Sequence, residues 1–303
     1  MTPSSRPESW AKTTAKAILP GKLVAFISGC RYRGYRAHLV YLSKLKRYRT
    51  EFASANATVP DSMIVLPGDC RIAIPPDSEV RDAFEHFGWK DPEAVEEFRA
   101  FMKLASNAKV LWDIGALFGF FSLAFALKGE DRLALAFEPN PGSREKLEEC
   151  LHLNPTAKVK VFDSAVGLPD KVVKFESGFH YTAIAESPGR SGEEASAERE
   201  TVAIKTVSID DLIERNLEPP DIIKIDVEGH EFDVLRGARK LLLAKKPALS
   251  LELHPELLAR RGTSCHAIVE YLEDAGYVFF DSDLKRVTKS YFEHKSSVRV
   301  VAK

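Results

Sequence analysis

From residue 110 onward, apolar runs of strand length alternate with stretches of helix length, and that alternation restricts the chain to few architectures. Runs at 110–114, 133–137 and 159–162 read as strands, with helical stretches at 117–128 and 141–151 between and after them. Parallel neighbours need a crossover connection that a helix supplies, so this order implies a parallel sheet. The uninterrupted apolar runs at 222–225 and 248–253 fit parallel strands buried on both faces, and a helix over 231–244 joins them. Two further extended runs, 172–175 and 201–207, flank a polar stretch at 186–200 that reads as a loop or lid. A helix at 267–275 and strands at 277–280 and 298–301 bring the main sheet to seven strands.

Upstream the pattern changes. Residues 63–66 and 71–74 are short apolar strands around Pro67-Gly68-Asp69, a β-hairpin, and Asp91-Pro92-Glu93 opens a helix over 91–104. Residues 1–20 look poorly ordered, whereas 38–52 places Leu39, Leu42, Leu45 and Tyr48 at every third position among basic neighbours, a basic amphipathic helix. The expected division is therefore a basic extension over 1–90 and a catalytic α/β domain over 91–303.

Charge supports that division. The first 50 residues carry eleven Lys and Arg against Glu8, a local balance of +10, although the whole chain has a net charge of −1. Such asymmetry suits an anionic counterpart: a phospholipid surface, a phosphorylated acceptor, nucleic acid, or the acidic remainder of the chain. A solvated helix face accounts for it equally well. Cys30, Cys70, Cys150 and Cys265 form no C-x-x-C pair, which argues against a zinc knuckle or a disulfide framework and fits the cytoplasm. The early apolar run at 23–28 falls far short of the roughly 20 residues that span a bilayer, so the expectation is a soluble or peripheral protein.

Three motifs mark the carboxyl ends of the first strands. Asp113-Ile-Gly115-Ala116-Leu-Phe-Gly119 stands where a strand turns into a helix, and its glycines allow a ligand close to the backbone. It lacks the G-x-G-x-x-G that wraps a pyrophosphate, which disfavours a nicotinamide oxidoreductase. Glu138, followed by Pro139 and Asn140, ends the second strand where an acid would hold a ribose diol. Asp163-Ser164-Ala165 ends the third, with Asp163 a candidate for an adenine amino group or a simple turn cap. Together they favour a nucleoside ligand.

The densest run is Lys224-Ile225-Asp226-Val227-Glu228-Gly229-His230-Glu231, a buried strand that breaks into charge and starts a helix. The next strand ends in Glu252-Leu253-His254-Pro255. Alternation puts Asp226 with Glu228, and Glu252 with His254, on one side of their strands. In open α/β sheets ligands bind at these ends, so the carboxylates and a histidine are expected in one cleft.

The succession D-x-G-A-x-x-G, F-E-P-N, K-I-D-V-E-G-H-E and L-E-L-H resembles the FkbM-family methyltransferases, a branch of the class I S-adenosylmethionine-dependent enzymes, over about residues 90–280. The resemblance implies a Rossmann-like seven-stranded sheet in the order 3-2-1-4-5-7-6, S-adenosylmethionine bound at Asp113 to Gly119 and Glu138, and O-methylation as the reaction. Members commonly carry Asn after Gly-Ala, where this chain has Leu117. An alcohol acceptor becomes nucleophilic when a base takes its proton, a contribution of roughly 10²- to 10⁴-fold. His254 or His230 is the candidate base, with Asp226, Glu228 and Glu252 around it. Alternatively Asp226, Glu252 and His254 bind a divalent ion such as Mg²⁺ that acidifies the acceptor.

The expected acceptor is a small molecule, sugar or glycan. Nucleic-acid methylation is disfavoured because Asp226-Val-Glu-Gly stands where an N-P-P-Y-like motif would be. Peripheral contact of the basic helix with an anionic membrane, or a catalytically silent scaffold acting through that basic arm, are the other readings. Oligomeric state is not written in the sequence.

Overall fold

The computed structural model describes residues 21–176, 201–293 and 297–303. The expected lid over 186–200 and the first 20 residues lie outside this range. A 36-residue helix, Gly21–Asn56, leads into the antiparallel hairpin of β1 (Met63–Leu66) and β2 (Cys70–Ala73). Tyr48 is buried, but Leu39 and Leu42 are exposed, so only the later part of the expected amphipathic stretch packs on the fold. Among the described residues no helix is long and apolar enough to cross a membrane. The helices Ser78–Glu85 and Pro92–Leu104 follow, joined by a π-helical turn at His86–Lys90 and capped by Asp77 and Asp91.

Seven strands form the main sheet: β3 (Val110–Ile114), β4 (Leu133–Phe137), β5 (Val159–Phe162), β9 (Ile222–Ile225), β10 (Ala248–Leu253), β11 (Phe279–Phe280) and β12 (Val298–Ala302). Between β5 and β9, β6 (Ala165–Val166), β7 (Val172–Glu176) and β8 (Thr201–Val207) make a separate three-stranded sheet, so the extended runs 172–175 and 201–207 stay outside the main one. Counting only the seven strands in chain order, the sheet runs 3-2-1-4-5-7-6. β5, β4, β3, β9 and β10 are parallel; β12 inserts antiparallel between β10 and β11.

Register explains where a site must lie. Ile114 pairs with Phe137 on one side and Ile225 on the other, so β3, β4 and β9 end level with each other. The order switches direction between β3 and β9, where diverging connections open a crevice at the carboxyl edge. Beneath it one apolar cluster holds Trp112, Phe137, Ile223 and Leu251, and another unites Ile64, Ile72 and Phe84 with Phe98, Phe101 and Phe121. The hairpin and the helices before β3 thus share a core with the main sheet.

Two expected helices are altered. The one after β3 starts at Phe120 instead of 117, because Leu117 and Gly119 take left-handed backbone angles that no helix accommodates. The stretch 231–244 is two helices, Glu231–Arg236 and Arg239–Ala244. At the break a Cβ on Gly237 would meet the Gly167 carbonyl oxygen at 2.3 Å. The Asp210 carboxylate starts the second helix by accepting from the Lys240 and Leu241 N–H groups at 2.9 and 3.0 Å.

Candidate active site

The turn after β3 is shaped by its glycines. Gly115 has φ +82°, and a Cβ there would meet the Asp226 carbonyl oxygen at 1.9 Å, so both its backbone angle and the approach of the next strand demand glycine. Leu117 has φ +49°, a region that Asn enters more readily than an apolar residue with a bulky side chain. Its N–H donates to Glu138 Oε2 at 2.8 Å, which ties the turn to the end of β4. Asp113 is 1% exposed, and its Oδ2 accepts from the Ser122 N–H at 3.1 Å and the Ser122 hydroxyl at 2.7 Å. It braces the turn from behind instead of facing a ligand, contrary to the expectation for a carboxylate before the glycines.

Glu138 also accepts from the Asn140 N–H at 2.8 Å. Burial dominates these donors and pushes its pKa up to about 7. Glu138 lies on the wall of a cavity of about 720 Å³ that opens at the carboxyl ends of β3, β4, β9 and β10. That volume falls in the range of small-molecule sites, about 300–1,000 Å³. Gly115, Pro139, Ser164 and Ala165 share this wall, as do Asp226, Glu228, His230, Glu252 and His254. Asp113, Ala116, Gly119, Asn140 and Asp163 do not line it. Asn140 instead caps the helix Pro141–Leu153, and Asp163 is exposed to solvent.

At the centre stands His254, directly after β10. Its Nδ1 lies 2.7 Å from Glu231 Oε1, and Glu231, with no exposed surface, also accepts from the Gly229 N–H at 2.9 Å. Pairing at Nδ1 fixes the ring and presents Nε2, 3.6 Å from Glu228 Oε2 and 3.9 Å from Asp226 Oδ1. Burial works against a proton on this ring, but the bond to Glu231 and the charges of Glu228 and Asp226 prevail and raise its pKa to about 9. Burial in turn raises Asp226 and Glu228 above the usual carboxylate range. The turn that delivers these groups is constrained: Glu228 has φ +49°, and a Cβ on Gly229 would meet Leu257 Cβ at 2.6 Å.

Glu252, one residue before the end of β10, lines the same cavity but has different partners. Glu252 meets Arg299 at 2.9 Å and the Ser297 hydroxyl at 2.9 Å; burial opposes its charge, but Lys224 and Arg299 hold its pKa at about 2. Among the described residues, Asp226, Glu228 and His254 have potential ligand atoms within 4.8 Å of one another, and Glu252 of the expected metal set is not among them. Behind them Lys224, 1% exposed, pairs with Glu97 at 3.0 Å and Asp226 at 3.4 Å, and Arg299 reaches Glu97 and Asp91, both at 3.0 Å.

His230 differs from His254 in kind. Its Nδ1 is 3.9 Å from Asp233, and burial together with the positive charge of Arg261 pushes its pKa down to about 4. Glu231, Glu97 and Arg299 were not singled out from sequence. Glu231 alone carried a signal, as the last acid of Asp226-Val-Glu-Gly-His-Glu231.

The Methyltransferase FkbM domain model matches residues 113–279, more than half of the chain, from the glycine turn to β11. The chain belongs to the FkbM methyltransferase family. Membership implies S-adenosylmethionine as the methyl donor, and the cavity accommodates it: an acid at the end of β4, a glycine-shaped turn, and apolar walls at Ile114, Phe137 and Val166. Among relatives, the hexuronic acid methyltransferase AglP of Haloferax volcanii is 30% identical over 145 residues, 48% of this chain and 56% of that protein. The AMB antimetabolite synthetase AmbE of Pseudomonas aeruginosa is 28% identical over 202 residues, 55% of this chain and 9% of that protein. The chain thus spans about half of one relative and a small part of the other. A methyltransferase FkbM crystal structure from Methylobacillus flagellatus is similar at 17% identity and a TM-score of 0.43, covering 76% of this chain and 55% of that one.

Proposed function

We propose that this FkbM-family member transfers a methyl group from S-adenosylmethionine to a hydroxyl oxygen of a small-molecule, sugar or glycan acceptor, with His254 as the base. When bound, the cofactor supplies an electrophilic methyl on a sulfonium that departs as a neutral thioether, so the protein needs no general acid. Glu138 would accept from the ribose hydroxyls, and Ser164 and Ala165 would border the adenine, since all three line the cavity. The observation that carries the reading is the buried Glu231–His254 pair, which turns Nε2 toward the cavity beside Asp226 and Glu228. A base so held is worth roughly 10²- to 10⁴-fold. His230, whose pKa is pushed down to about 4, is too weak a base for an alcohol. The name of the 30% identical relative favours a sugar acceptor. Residues 1–90 act as an extension that shapes the acceptor side, since Asp82, His86, Phe87 and Lys90 line the same cavity.

A second reading rests on the proximity of Asp226, Glu228 and His254: two carboxylates and one imidazole suit Mg²⁺ or Mn²⁺, which would lower the acceptor's pKa in place of a base. A labelled methyl-transfer screen over sugars, glycolipids and polyketide alcohols tests both. Transfer that is lost in His254→Gln, with S-adenosylhomocysteine affinity unchanged, and that survives exhaustive chelation supports the base. Loss on chelation with recovery on adding Mg²⁺ supports the ion. Tight cofactor binding without any methylated product would point to a silent scaffold acting through the basic arm.

A further inference from the structure

Three cationic or hydrogen-bond-donating side chains that the proposed methyl transfer does not use line the cavity from separate segments, and the charges of Arg261 and Lys171 both act on His230. Lys171 precedes β7, His230 lies in the turn after β9, and Arg261 ends the helix that follows His254. Their meeting is a product of the fold, since nothing in the local sequence of any one of them announces it. We propose that Lys171, His230 and Arg261 form an anion subsite that selects acceptors bearing a carboxylate or phosphate group, a reading that rests on the methyl transfer proposed above.

Each donor has spare capacity. Nε2 of His230 is buried and has no hydrogen-bond partner among the described residues. Closed off as it stands, this unpaired atom is costly, and a small opening of the wall that lets a ligand oxygen reach it would relieve the cost. The Nδ1 contact with Asp233, at 3.9 Å, is too long to claim the ring's proton, so Nε2 is free to carry it. Arg261 makes one long contact, 3.4 Å from Nη2 to Asp233 Oδ2, and that carboxylate is shared with Arg236 at 3.9 Å. A guanidinium has five N–H donors in a planar fork, which leaves Arg261 a pair to offer to the oxygens of a carboxylate or phosphate. Lys171 is exposed and has no ion pair among the described residues.

The subsite also gives the acceptor a direction. Glu228 and Asp226 already occupy the Nε2 side of His254, at 3.6 and 3.9 Å, whereas Arg261 and Lys171 keep donors to spare, so an anionic group is better accommodated beside Arg261 and Lys171. That orientation leaves a hydroxyl, and not the acid, facing Nε2 of His254.

The test uses the full chain saturated with S-adenosylhomocysteine and ligand-observed NMR with glucuronic acid, glucose 6-phosphate, inorganic phosphate and glucose at equal concentrations. The expected result is binding of one or more of the anions, weak or no binding of glucose, and a loss of about tenfold or more in anion affinity in Arg261→Gln/Lys171→Gln. The two sugar acids separate a carboxylate from a phosphate preference, and inorganic phosphate shows whether the anion alone suffices. Equal binding of glucose and the anions, no anion binding to the parent protein, or unchanged anion binding in the double variant would overturn the subsite. S-adenosylhomocysteine affinity is measured alongside: its retention in the variant shows a folded protein, and its absence in the parent chain would count against the methyl-transfer reading instead.

Discussion

Nδ1 of His254 stands 2.7 Å from Oε1 of Glu231, a carboxylate wholly removed from solvent. A buried acid against one ring nitrogen does two things at once: it orients the imidazole and raises its basicity. The cost is that the proposed base is protonated at neutral pH. With the pKa raised to about 9, the neutral ring required to accept a hydroxyl proton becomes the main species only above that pH. kcat/KM is therefore expected to climb about tenfold per pH unit up to about pH 9 and then level off. In Glu231→Gln the His254 titration, followed by NMR, should move down by a unit or more, and kcat should fall roughly 10²-fold as the ring loses its orientation. Unchanged titration in that variant would remove Glu231 from the argument. Linkage supplies an independent check: because the folded pKa exceeds the ordinary value of 6.5, the contribution of protonated His254 to stability is complete below about 6.5 and is lost as pH rises through about 9.

Lys224 is expected to be the most damaging charge to remove. It is 1% exposed and faces Glu97 at 3.0 Å, Asp226 at 3.4 Å and Glu252 at 4.0 Å. Lys224→Met leaves buried carboxylates without their cation, and breaking such a set costs about 3–5 kcal/mol. Urea unfolding should show this loss, and adding Glu97→Gln should restore part of it. A single variant as stable as the parent would mean that Arg299 alone satisfies the cluster.

The contrast between elements that sequence revealed and those it concealed is physical. Strands β3, β4, β9 and β10 were legible because burial on both faces forces unbroken apolar runs, and the glycine turn was legible because a close approach leaves a compositional mark. The Glu231–His254 pair was not, since it joins a helix start to the end of a neighbouring strand and depends on where β10 stops. Alternation placed Glu252 and His254 on the cavity that both line, but it could not show that Arg299 and Ser297 hold Glu252 while Glu231 holds His254. Asp113 was misplaced because its partner, Ser122, becomes a neighbour only once the helix begins at Phe120. The single helix expected over 231–244 failed for a similar reason: its break answers to Gly167, far away in the chain.

Glycines in the left-handed region provide a controlled comparison. Gly115 and Gly68 have φ +82° and +79°, but a Cβ at Gly68 meets nothing within 4 Å, whereas one at Gly115 runs into the Asp226 carbonyl. Gly68→Ala should cost only the backbone term, about 1–2 kcal/mol. Gly115→Ala adds a collision between adjacent strands, so a loss of about 3 kcal/mol or more is expected, with S-adenosylhomocysteine binding abolished. Equal thermal shifts for the two variants would show that β3 and β9 part without penalty.

If Glu138 holds the ribose as proposed, it links cofactor affinity to pH. Its pKa, pushed up to about 7 by burial, lies above the ordinary 4.5, so the folded protein holds a proton there that the unfolded chain releases. The sign follows: this group's contribution to stability is greatest below about 4.5 and declines as pH rises toward 7, which is the penalty for keeping an ionisable acid in a dry wall. A nucleoside reverses that balance, because two ribose hydroxyls donating to the carboxylate favour its charged form. Binding should then expel a proton near pH 7. Calorimetric titration with S-adenosylhomocysteine in buffers of different ionisation enthalpy should detect that release, and affinity should strengthen as pH rises through about 7 before levelling off. In Glu138→Gln the affinity should be weaker by roughly 10- to 100-fold and independent of pH over the same range. A parent protein that binds without proton release would mean that the ribose is held elsewhere and that Glu138 serves only the Leu117 and Asn140 amides.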